Sequence, residues 1–120
     1  MDGNRFVVTW HVHGTLAADV VIRYKLPCAA TLVRVDTCGT ADAEGALVIG
    51  TVGDTDGYVK TYTPGHNATF SVKDRGDFDG ALNSDTNECP HLAKDTELLL
   101  TWTHDDGNTD TDIALTFLEG

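Results

Sequence analysis

The sequence predicts an all-β protein, a jelly-roll-like β-sandwich of about eight antiparallel strands filling residues 1–120 as one domain. Three observations carry this reading. Apolar residues recur at every second position in segment after segment, the period of a strand with one face on a core and the other in water. Gly, Pro, Asp and Asn interrupt these segments every few residues, as turns between short strands require. No stretch sustains the 3.6-residue period of an amphipathic helix. Eight short strands suit a jelly roll of two layers. The alternative, an immunoglobulin-like sandwich, lacks its Cys pair with an intervening Trp.

The first strand is "RFVVTWHVHG", with Phe6, Val8, Trp10 and Val12 on one face and Thr9, His11 and His13 on the other. "ADVVIRYKL" repeats the pattern with Val20, Ile22, Tyr24 and Leu26 opposite Asp19, Arg23 and Lys25. Pro27 ends it by removing a donor and fixing φ. "TLVRVDTC" (31–38), "ALVIGTV" (46–52) and "YVKTYT" (58–63) are the next three, with "GTADAEG" as a loop and "GDTDG" as a turn between them. "ATFSVK" (68–73) places Phe70 and Val72 on one face and Ser71 and Lys73 on the other. Residues 74–93 form the longest irregular stretch, the kind that is usually functional or carries a turn of helix. "ELLLTWT" (97–103), with Leu98, Leu100 and Trp102 inward, and "DIALTFLEG" (112–120), with Ile113, Leu115 and Phe117 inward, complete the set.

Composition narrows the partners. Nineteen acidic and eight basic residues give a formal charge of −11, which repels phosphate backbones and excludes direct nucleic-acid binding. No run approaches the ~18 apolar residues of a helical membrane span. "MDGNRFVVTW" lacks the basic and apolar regions of a secretory signal, so synthesis in the cytoplasm is expected. Three cysteines in such a chain read as unbridged thiols. Cys28 and Cys38 bracket one strand, and ~10 residues at ~3.3 Å hold them too far apart for a disulfide.

No catalytic constellation stands out. Neither serine, Ser71 nor Ser84, lies in a nucleophile elbow. Cys89 and His91 share a side of an extended "ECPHL" and form the one drawable thiol–imidazole pair. His11 and His13 lie ~6.6 Å apart along one strand face, a workable chelating pair, though no Glu follows at a cupin interval. "DFDGALNSDTNE" offers Asp77, Asp79 and Asp85 as oxygen ligands for a hard cation, without the order of an EF-hand. The expectation is nonetheless no metal site and no cofactor, with Asp and Gly making solvated turns. "RGD" (75–77) and "NAT" (67–69) are treated as chance matches.

Two stretches carry a resemblance. "YKLPCAATLVRVDTCGTADAEGALVIGTVGDTDGYVKTY" (24–62) joins a strand ended by Pro, a "TLVRV" strand and an acidic loop to a short "LVIG" strand. "DTELLLTWTHDDGNTDTDIALTFLEG" (95–120) runs from a turn through an apolar strand and an Asp-Gly loop into a final strand. In layout, across nearly the whole chain, they resemble small jelly-roll proteins of tailed-bacteriophage virions, notably capsid decoration (cement) proteins. That resemblance implies binding to the major capsid protein on the capsid exterior, a homo-oligomer with a trimer favoured, and no enzymatic activity. A carbohydrate- or receptor-binding jelly roll, stacking sugars on Trp10, Tyr58, Tyr62 or Trp102, is the alternative. A small cupin-like metalloprotein using His11 and His13 is the second.

Overall fold

In the computed structural model the described residues are 4–12, 19–39, 46–63, 70–83, 88–103 and 110–120. They form nine strands: β1 (Arg5–Val12), β2 (Val20–Lys25), β3 (Ala30–Gly39), β4 (Ala46–Thr51), β5 (Asp54–Tyr62), β6 (Phe70–Lys73), β7 (His91–Leu92), β8 (Glu97–Thr103) and β9 (Thr111–Glu119). One sheet runs β1-β9-β3-β6, with β7 also on β3, and the other runs β2-β8-β4-β5. With two-residue β7 set aside, β1:β9, β2:β8, β3:β6 and β4:β5 pair antiparallel, and β3:β9 and β4:β8 join these pairs. A long hairpin of four strand pairs rolled into two layers has this order, so the fold is a jelly roll.

The alternation translates directly into the core. Leu98, Leu100 and Trp102 of β8 and Leu47 and Ile49 of β4 join Ile113, Leu115 and Phe117 of β9 in one buried cluster. β3 keeps two inward apolar residues three positions apart, Leu32 and Val35, because its register on β9 shifts between Leu32 and Arg34. The extra residue of that bulge resets the parity of the strand.

Three details depart from the sequence pattern. The chain reverses at Val52-Gly53, not across 53–57, since Thr51 pairs with Asp54. The first half of β5 then passes so close over β4 that a Cβ on Gly50 would collide with the backbone of Asp54, Thr55 and Gly57. In β6, parity groups Phe70 with Val72, but that face points outward: they pair with Cys38 and Asp36, while Ser71 lies opposite buried Thr37. Thr37 Oγ1 lies 3.2 Å from the Tyr62 hydroxyl, linking the two layers at the end where Val12, Gly39, Phe70 and Thr111 stop.

Described parts of the long segment after β6 pack on both sheets. Phe78 is inserted into the core, 1% exposed. Next to it the Asp79 amide donates to the Tyr58 carbonyl (2.8 Å) and the Leu82 amide to the Gly57 carbonyl (3.2 Å), extending the β5 edge. Further on, the Leu32 amide donates to the Pro90 carbonyl (2.9 Å) and β7 pairs with Ala30 and Thr31. Residues 79–82 thus extend the β5 edge of one sheet, and residues 90–92 pair along β3 of the other, further along that strand from β6. The expected turn of helix is replaced, among the described residues, by turns and β7.

Candidate functional site

The outer face of the β1-β9-β3-β6 sheet carries a concavity of about 300 Å³. Strand register builds it. Thr9, Ala114 and Asp36 lie in one cross-strand row; His11, Asp112, Cys38 and Phe70 lie in the next. Phe70 forms one wall and is 69% exposed, an unusual position for a phenylalanine ring.

Charge is concentrated around this hollow. His11 Nδ1 lies 2.6 Å from Asp112 Oδ1, and its Nε2 lies 3.8 Å from Asp110 Oδ2. The hydrogen bond to Asp112, aided by both carboxylates, raises the imidazole above its ordinary 6.5. Across the hollow, Arg34 Nε lies 2.9 Å from each carboxylate oxygen of Asp36. An apolar ring beside three carboxylates suits a cationic side chain, which can rest its stem on Phe70 and its charge near Asp112.

The residues singled out by sequence fall in different places. His11 sits in this hollow; His13 lies outside the described residues, so the paired-histidine reading stays an expectation. Asp77 accepts from the Asp74 amide (3.1 Å). Asp79 takes the Ala81 amide (3.4 Å) and the Lys60 ammonium (3.7 Å). Asp85 lies outside the described residues. Glu88 holds Arg75 at 2.7 Å, and its carbonyl receives the Asn83 side-chain amide. Among the described residues no three His, Cys, Asp or Glu side chains are placed to share a metal ion.

The thiol–imidazole pair is not set up for nucleophilic chemistry. Burial pushes the Cys89 thiol up, the wrong direction for an activated nucleophile, and its Sγ faces the Val33 carbonyl at 3.9 Å. His91 Nδ1 is engaged with Thr31 Oγ1 at 3.1 Å. Cys28, Cys38 and Cys89 form no disulfide. Of the aromatic residues considered for sugar stacking, Trp102 and Tyr58 are core residues. Trp10 packs edge-on against Tyr24 with centroids 5.7 Å apart. Burial pushes the Tyr62 hydroxyl up to about 12, and the Lys73 ammonium covers its ring at 4.7 Å.

Sequence reasoning missed the Phe70 hollow because parity says which residues share a face, not which face is inward. It also missed the carboxyl pair Asp54–Asp56, joined by a hydrogen bond that raises Asp54 above the usual carboxylate range. "GDTDG" reads as a solvated turn, whereas β5 begins at Asp54 and its extended backbone puts these two carboxyls on one face.

No known family matches the sequence and no curated protein is similar to it. Among solved structures, the fold is similar to that of a chain in the acidic stable capsid structure of Helicobacter pylori bacteriophage KHP30. The likeness has a TM-score of 0.50 and 10% sequence identity over 92% of this chain and 93% of that one. At that identity it establishes a shared fold.

Proposed function

We propose that this protein is a structural component of a bacteriophage virion that decorates the capsid exterior and stabilises the head by binding the major capsid protein. The observation that carries the reading is the fold likeness, end to end in both chains, to a chain of a phage capsid structure. The jelly-roll strand order supports it, because a two-layer sandwich with short connections is a rigid body suited to bridging capsid subunits. It acts without catalysis, as a homo-oligomer, so that several small footprints add through avidity. It is made in the host cytoplasm before joining the particle.

The Phe70 hollow is the contact in this reading. With a formal charge of −11, the protein is steered toward basic capsid surface, and the hollow offers carboxylates at the rim with an apolar wall. Co-sedimentation with shells of the co-encoded major capsid protein tests it. Wild-type protein pellets with shells, and Asp112→Lys weakens binding by ~2 kcal/mol, about thirtyfold, through like-charge contact. Wild-type protein that stays in the supernatant at every ratio overturns the reading. The sugar-binding alternative loses Trp102 and Tyr58 to the core.

A further inference from the structure

We infer that the side of the sandwich bounded by β1 and β2 pairs with the same side of a second copy of this chain, across a twofold axis. This goes beyond the capsid reading and does not depend on it.

Among the described residues each of these strands has a neighbouring strand on one edge only, β9 for β1 and β8 for β2. The ladders behind them are unbroken, eight pairs from Arg5 to Val12 and six from Val20 to Lys25. Neither strand contains a proline or a bulge, two of the means of blunting an exposed edge; the charges of Arg5, Arg23 and Lys25 are a third. The contact between Trp10 and Tyr24 shows that the two edges flank one seam. Along that seam Phe6, Val8, Trp10, Val20, Ile22 and Tyr24 are only partly buried, although they point into the core. Val7 and Val21 beside them are 57% and 50% exposed. On the opposite side, residues 79–82 and 90–92 already bond to β5 and β3, where β6 ends its sheet; a contact that uses the β1–β2 seam at both partners is isologous.

Charge selects the occupant and the direction. Arg5, Arg23 and Lys25 lie in the lower half of the seam, with Glu97 bonded to Arg23. Asp19, Asp110 and Asp112 lie at the upper end with His11. A twofold axis normal to the strands lays each basic half on the other copy's acidic end. The seam is only ~26 Å long at ~3.3 Å per residue, so the contact is small and concentration-dependent.

Sedimentation equilibrium of the full chain over a concentration series tests this. Wild type is expected to approach twice the monomer mass, less so in high salt. Val7→Lys and Val21→Lys each return it to the monomer, Arg5→Glu weakens association, and Val52→Lys at the β4–β5 turn changes nothing. If Val7→Lys fails to fold by circular dichroism, Val21→Lys decides. A wild-type monomer at every concentration, a trimer as the sole species, or a mass that neither seam variant alters overturns the inference. Shell binding is read separately, so either idea can fail alone.

Discussion

The two long sides of this sandwich are finished in opposite ways. Beside β5 and β6, residues 78–82 and 90–92 satisfy backbone groups of both sheets and insert a phenylalanine between them. Beside β1 and β2 the sheets stop among the described residues, and the aromatic residues behind the edge, Phe6, Trp10 and Tyr24, are half-exposed. The difference teaches that edge protection here is built from irregular chain, while the most regular strands are the ones left open. Regular alternation marks where a strand lies but not whether anything covers its edge.

The comparison breaks most directly at Phe78. Phe78→Ala should cost ~3–5 kcal/mol in a denaturant titration, as for other large-to-small changes in a sealed core. If it costs no more than Ile22→Ala, a half-buried change on the open side expected at about 1 kcal/mol, the sides are not sealed differently. Next comes Gly50→Ala, where the incoming methyl meets β5 backbone, which cannot swing aside. Overpacking of this kind costs ~1–3 kcal/mol, and amide exchange should quicken in the β4–β5 half first.

Smaller effects come from two of the raised acid–base groups, one on each side. His11, on the open side, is stabilised in its charged form by Asp112, so its contribution is complete below 6.5 and fades as pH rises through its raised value. An NMR titration should place His11 above 6.5, and Asp112→Asn should bring it back toward that value. Asp54, on the sealed side, is raised chiefly by its bond to Asp56, so the favourable state exists at acid pH and is lost as pH rises. Asp54→Asn should therefore raise the melting temperature slightly at neutral pH and not at acid pH. The smallest expected effect is none: excess chelator should leave the melting temperature unchanged, because Asp77 and Asp79 already bind backbone amides and Lys60.

These contrasts also show what the sequence could reveal. Every strand with a buried, alternating face was legible, down to Leu98, Leu100 and Trp102 on β8. Phe78 was not, because a single apolar anchor among Asp, Gly and Arg has no period to betray it. β7 is two residues long, too short for alternation to register. For the candidate site, His11 was legible as a polar residue on an outer face. Its partnership with Asp112 was not, since 101 positions separate them and only the β1:β9 register makes them neighbours. That the Phe70 face of β6 points outward was not legible either, because it follows from Thr37 and Tyr62, which make the inner environment of β6 polar.

One consequence concerns grafted sequence. The Glu119 amide donates to the Asn4 carbonyl at 2.8 Å, so both outermost described strands emerge from a single corner. His11 stands ~23 Å up β1 from that corner, at seven residues of ~3.3 Å. A bulky group introduced at Asn4 or Gly120 therefore starts about 23 Å along β1 from His11 and leaves the Phe70 concavity open to cargo.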